Sequence, residues 1–179
     1  MTKKVRKKKP PREVSPLDSY YMGLAFWTST RSKDPSTQCG AIIVGENNVP
    51  ISMGYNGVPR KIDDIDVDWS RSDKYDFIDH AEENALHHGR YHNLEKATIY
   101  ISALPCKRCM KSIVRHEIER VVYFPMTASS GSMLDLDEKE KERILKIAKM
   151  GKVKIEEFNG NLNWMRDQIA LFEAMGIFK

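Results

Sequence analysis

Long apolar runs are missing from this 179-residue chain, and cysteine is scarce. With no apolar stretch long enough to cross a bilayer, a membrane-spanning helix is excluded. None of signal-peptide length follows the basic N-terminus closely, so the reading is a soluble, cytoplasmic protein. The three cysteines, Cys39, Cys106 and Cys109, are an odd set with two members close together, which does not suit a disulfide framework. In a reducing compartment such a close pair is more often a metal or redox site. Internal repeats are absent, which excludes a repeat array.

An excess of charge of one sign is missing outside a single segment. The formal net charge is +4, yet Lys3, Lys4, Arg6, Lys7, Lys8 and Lys9 all precede Pro10. The remainder is close to neutral, so nothing outside that arm favours nucleic acid as a partner. Residues 1–14 read as a disordered basic arm, and residues 15–179 as one domain with a C-terminal helix. An apolar content of 41% is near that of ordinary globular proteins.

Periodicity organises that domain. Ser15 and Pro16 read as N-cap and first residue of a helix, continued by Leu17, Tyr20, Tyr21, Leu24 and Trp27 to about Arg31. Residues 41–44 and 49–55 flank a Glu46-Asn47-Asn48 turn and predict a hairpin. Residues 56–79 form a long aspartate-rich connection, and such connections are usually functional or partly mobile. Beyond it come a helix over 80–89, a strand over 97–102, a helix over 105–117, a strand over 121–124, a helix over 138–150, a strand over 152–158 and a final helix. Strands separated by helices predict parallel pairing with helices on both faces. The final helix carries Leu162, Met165, Ile169 and Phe172 on one stripe and Trp164, Leu171 and Met175 on another. That is wider than one docking face needs, and predicts a second copy as a partner.

The residues that carry chemistry are His80-Ala81-Glu82 and Pro105-Cys106-Lys107-Arg108-Cys109. Cys106 and Cys109 are i and i+3, on one face of a single helical turn. Both motifs open helices, where free amides and the helix dipole favour thiolate. One imidazole and two thiolates leave a fourth tetrahedral position for water, the pattern of a catalytic zinc site. Glu82 is then free to move protons as a general acid–base. This H-x-E…P-C-x-x-C arrangement is the signature of the nucleobase deaminases. Singly, each piece has a plainer reading. Asp79 and Glu82 form a D-x-x-E capping box, Cys106 and Cys109 a redox pair or buried apolar residues, and His80 a surface histidine. A structural zinc completed by His87, His88 or His92 is the stronger rival.

Residues 32–41 (Ser-Lys-Asp-Pro-Ser-Thr-Gln-Cys-Gly-Ala), Gly54-Tyr55-Asn56-Gly57-Val58-Pro59, His80-Ala81-Glu82-Glu83-Asn84-Ala85 and Pro105-Cys106-Lys107-Arg108-Cys109 resemble the four signature blocks of deoxycytidylate deaminases. The resemblance runs from about Leu17 to about Phe158. It implies the cytidine deaminase-like α/β fold, a three-layer sandwich with a five-stranded mixed sheet and helices on both faces. It implies hydrolysis of deoxycytidine monophosphate (dCMP) to the deoxyuridine nucleotide (dUMP), with Zn2+ on His80, Cys106 and Cys109 and Glu82 as catalytic residue. It further implies a homo-oligomer, often a hexamer, activated by dCTP and inhibited by dTTP bound with Mg2+. The effector residues expected are Lys33, Asp34, Gly54, Tyr55, Asn56, Gly57 and Arg60; the substrate residues expected are Asn56, Ala81 and Tyr123. The chain departs from many relatives at Glu83, where they carry an apolar residue, at Cys39, where they carry valine, and at residues 126–130, where they place a tyrosine.

Two other functions stay open on sequence. One is a deaminase of polynucleotide, either tRNA adenosine or single-stranded DNA cytosine. The basic arm supports it, but the arm has no aromatic stacking partners. The other is a zinc-stabilised nucleotide-binding regulator without catalysis, against which Glu82 stands.

Overall fold

A computed structural model of the chain describes residues 11–70, 73–126 and 137–178. The basic cluster at residues 3–9 and the tyrosine-lacking loop after Met126 lie outside the described residues. Helix α1 spans Leu17–Ser29 and strands β1 and β2 span Gly40–Val44 and Pro50–Tyr55. After two short 3-10 turns at Asp64–Asp66 and Lys74–Asp76 come α2 (Ala81–Gly89), β3 (Thr98–Ile101), α3 (Lys107–Arg115) and β4 (Arg120–Tyr123). The chain ends in α4 (Glu138–Met150), β5 (Lys154–Glu157) and α5 (Asn163–Ala174). No helix among the described residues is long and apolar enough to cross a membrane.

The sheet order is β2-β1-β3-β4-β5. β1 is antiparallel to both β2 and β3, while β3, β4 and β5 are parallel. It is therefore mixed, as the hairpin followed by helix–strand alternation requires. Alternate residues of the central strands serve two cores. Ala41, Ile43, Ile99, Ile101 and Val121 pack under α2, α3 and α4; Ile42, Val44, Tyr100 and Val122 pack under α1 with Phe158. Trp164 brings α5 onto α1: its ring fills the space a side chain at Gly23 would need, 2.4 Å from an added Cβ, and its Nε1 donates to Ser19 O at 3.1 Å.

At the N-terminus of α1 the cap differs from expectation. Pro16 is the N-cap, with ψ 148°, and its carbonyl accepts from Tyr20 N at 2.9 Å. Ser15 lies outside the helix because the extended proline, not the serine, carries the first helical acceptor, and no side chain caps it. The same end of the molecule is tied by charge. Asp18 accepts both guanidinium nitrogens of Arg120 at 2.9 and 2.7 Å and the Tyr100 hydroxyl at 2.7 Å, and Arg120 Nε donates to Glu156 at 2.6 Å. This clasp joins α1 to β3, β4 and β5 where β3 and β4 begin.

Candidate metal centre and cavity

The opposite end of the sheet holds the sequence motifs. Here β1 begins, β2 and β3 end, and α2 and α3 start side by side. His80 and Cys106 are the N-cap residues of these helices, both with extended backbone. That conformation turns each side chain across the helix start, where unpaired amides gather. Cys106 Sγ and Cys109 Sγ lie 3.6 and 3.4 Å from His80 Nδ1. All three donor atoms fall within 4.8 Å of one another. Tetrahedral zinc with ligands at ~2.0–2.3 Å sets its donors roughly 3.5–3.8 Å apart, so the cluster fits that ion. The hydrogen bond between the two thiols and the neighbouring His80 hold the Cys106 thiol well below its ordinary value, while the same bond and burial raise Cys109. His87, His88 and His92 are not part of this cluster among the described residues.

α2 is seated by a contact only glycine allows. A Cβ on Gly54 of β2 would stand 2.3 Å from both Ala81 O and Ala85 N, so the strand meets the helix backbone to backbone. Gly54 is thus used for packing. Glu82 is buried, and burial pushes its carboxyl up to about 7. Nor does Glu82 cap its helix: Glu83 does, accepting from His80 N at 3.2 Å and from Arg108 at 2.7 Å. The capping box is one residue later than the D-x-x-E pattern suggests, because His80 and not Asp79 is the N-cap, and Glu82 is left to face the cavity.

That cavity, about 100 Å³, adjoins the cluster and is lined by His80, Ala81, Glu82 and Cys106, by Ile78, Ile101, Ala103 and Leu104, and by Asp34, Asn56, Lys74 and Tyr75. Cys39 also lines it, outside the donor cluster, with a thiol that burial pushes up to about 12. Asn56 is buried with its amide engaged, accepting from Cys39 N at 2.8 Å and donating to Thr37 O at 2.9 Å. Asp34 is 2% exposed. It accepts from Ser36 N at 2.8 Å and from Lys74 Nζ at 2.7 and 2.8 Å. The long connection is closed at its base by a two-way bridge between Gly57 and Asp79, at 2.9 and 3.1 Å.

The expected effector residues are dispersed by the fold. Asp34 and Asn56 face the inner cavity and Gly54 lies beneath α2. Lys33 is exposed and paired with Asp64, and Tyr55 O accepts from Asn84 at 2.9 Å. Arg60 instead lines a second cavity of about 490 Å³ with Asn84, His87, His88 and Arg90. Of the expected substrate residues, Ala81 and Asn56 line the inner cavity. Tyr123 does not: it is buried and donates to Glu157 at 2.8 Å. Its place on β4, one strand beyond β3 from the cavity, turns the ring toward β5. Lys74 and Tyr75 escaped the sequence reading. A lysine within an aspartate-rich connection looks solvated, and the partner that buries it is 40 residues earlier.

The model of the cytidine and deoxycytidylate deaminase zinc-binding region matches residues 15–125. The chain is 33% identical over 132 residues to the deoxycytidylate deaminases of Homo sapiens and of Pongo abelii, covering 70% of this chain and 71% of each relative. Among solved structures it is similar to dCMP deaminase from the cyanophage S-TIM5 in apo form, with a TM-score of 0.62 at 22% identity over 81% of this chain and 100% of that one. The same phage enzyme in complex with dCMP and dUMP matches with a TM-score of 0.61 at 21% identity over 82% and 100%. With the fold, the donor cluster and these likenesses in agreement, the chain belongs to the cytidine and deoxycytidylate deaminase family of zinc-binding proteins.

Proposed function

We propose that this protein hydrolyses deoxycytidine monophosphate to deoxyuridine monophosphate and ammonia. The observation that carries the reading is Glu82, a buried carboxyl beside the His80, Cys106 and Cys109 donors and in the same cavity. Those three residues would hold Zn2+. When bound, zinc lowers the pKa of a water in its open position from ~15.7 toward ~7.

The chain's own residues do the rest. Ile78, Ile101, Ala103 and Leu104 offer an apolar wall against which a flat pyrimidine packs and from which bulk water is excluded. Glu82 takes a proton from the attacking water and delivers it to ring nitrogen 3. It then passes the second proton of that water to the amino group leaving carbon 4, so ammonia departs and a carbonyl remains. A carboxyl raised to about 7 by burial exchanges protons readily in both directions near neutral pH. The test is ammonia release from deoxycytidine monophosphate set against release from a cytosine-containing oligonucleotide. Activity on the oligonucleotide alone would transfer the reading to a polynucleotide deaminase.

Regulation and assembly belong to the same reading. α2 presents Ala81 and Glu82 to the inner cavity, and Asn84, His87 and His88 to the second one. Arg60 and Arg90 there offer positive charge to the phosphates of a triphosphate, while Asp79 and Glu83, which line the same cavity, offer the oxygen ligands that an accompanying Mg2+ prefers. A dCTP or dTTP bound in that cavity touches the helix that carries Glu82, and shifts activity by its differential affinity for two states, typically ~1–3 kcal/mol. Sigmoidal saturation by dCMP that dCTP makes hyperbolic and dTTP depresses is the expected outcome; superimposable hyperbolic curves would remove the regulation. Exposed Leu171, Met175, Ile177 and Phe178 on and after α5 support a homo-oligomer, with a hexamer expected by light scattering.

A further inference from the structure

Neither the donor cluster nor Glu82 accounts for Tyr75. It lines the cavity and is 50% exposed, so its ring stands at the mouth. It belongs to the turn Lys74–Asp76, three residues too few to hold an orientation unaided. Lys74 anchors that turn. It is 0% exposed, its Nζ is bound to both oxygens of Asp34, and the same Nζ lies 5.3 Å from the centroid of the Tyr75 ring. Taking two charges out of water is costly unless the geometry is good. A surface turn with no part in the cavity has no need of such an anchor.

Charge at the site points the same way. Lys74 is the one lysine or arginine lining the cavity among the described residues, and Asp34 already matches it. An anionic group on a substrate has to be met at the mouth. Tyr75 is the half-exposed ring on that lining, and its hydroxyl has no hydrogen-bond partner among the described residues. We infer that Tyr75 is a substrate-contacting residue, its ring against the sugar and its hydroxyl donating to the phosphate of the nucleotide, and that Lys74 and Asp34 are the positioning pair that aims it. The inference rests on the nucleotide reading above.

Steady-state kinetics of the zinc-loaded full chain on deoxycytidine monophosphate and on deoxycytidine test it. Tyr75→Phe should raise KM for the monophosphate about tenfold, the worth of a hydrogen bond to a charged group, with kcat within about twofold and deoxycytidine unaffected. Tyr75→Ala should weaken both substrates, because the ring is lost as well. The double variant Lys74→Met with Asp34→Asn avoids leaving a lone buried charge. It should reproduce the Tyr75→Ala pattern, and adding Tyr75→Phe to it should change nothing more. Wild-type KM values in both tyrosine variants would overturn the contact. Equal losses on both substrates in Tyr75→Phe would overturn the phosphate assignment. Independent, additive losses in the combined variant would overturn the positioning role. A wild-type protein that releases ammonia from neither substrate would sink the proposed function instead.

Discussion

Where β1 begins and β3 ends, Asp34 and Lys74 are 2% and 0% exposed, and nearly every polar atom around them is matched. At the far end of the same sheet, the side chains of Asp18 and Arg120 form a pair left 43% and 28% exposed. The wet network fastens α1 to the strands and the dry one fastens the loop after α1 to the turn Lys74–Asp76, so fastening alone does not explain why one is dry. The dry one borders the cavity. Excluding water there strengthens every electrostatic contact, raises Glu82, and makes the loss of any partner expensive. The wet clasp is shielded by solvent and can lose a member cheaply. One end of the sheet is built for chemistry, and the other for holding the layers together.

Substitutions at the two ends should therefore separate activity from stability, and the largest effects lie at the dry end. Cys106→Ser should lose most bound zinc, with activity, because a hydroxyl replaces thiolate poorly; metal analysis at full wild-type occupancy would remove Cys106 from the donor set. Glu82→Gln should keep the metal and lower kcat by the top of the ~10²–10⁴-fold range for general acid–base catalysis, or beyond it. Its Tm should match or exceed wild type, since a buried carboxyl is removed. Near wild-type turnover would end its role as proton carrier.

Lys74→Met is the variant that could break the partition. Leaving Asp34 buried without its partner should cost ~3–5 kcal/mol, read as a lower denaturant midpoint, although the residue lies beside the cavity. Asp18→Asn should cost only about 1 kcal/mol at neutral pH, as half-exposed pairs do, and leave kcat unchanged. The sign of its pH dependence follows from Arg120, whose guanidinium holds the Asp18 carboxyl below its ordinary value. A depressed carboxyl contributes stability that is present above its unfolded pKa of ~3.9 and is lost as pH falls through the folded value. The gap between wild type and Asp18→Asn should thus be widest at neutral pH and close in acid. A gap that grows on acidification would reverse the assignment.

The donor residues were legible in the sequence because their geometry is local. Cys106 and Cys109 share a helical turn, and His80 and Glu82 share another, so spacing places each pair, and the helix–strand–helix order brings the two helix starts together. The pairing senses were legible for a related reason: a hairpin predicts an antiparallel pair, and strands separated by helices predict parallel ones. Lys74 was not, since its burial depends on Asp34 across a connection whose path no periodicity describes. Tyr123 lies off the inner cavity, and sequence does not separate a ring at a strand end next to a cavity from one turned to the neighbouring strand. The capping contact that the D-x-x-E pattern offered to Glu82 falls to Glu83 through a one-residue shift in the helix start, which capping patterns do not resolve, and Glu82 keeps its expected place at the cavity.

Gly54 has a consequence for precision. α2 lies flat on β2 at that residue, and the atoms an added methyl would meet, Ala81 O and Ala85 N, are backbone and cannot swing aside. The helix would have to rise as a rigid rod, carrying His80 and Glu82 with it. In effect α2 is a gauge resting on the sheet, and the single hydrogen of Gly54 sets its zero. Donor separations of 3.4 and 3.6 Å leave little slack in such a gauge. A change on a strand that touches no reacting atom would therefore register as an error in metal affinity.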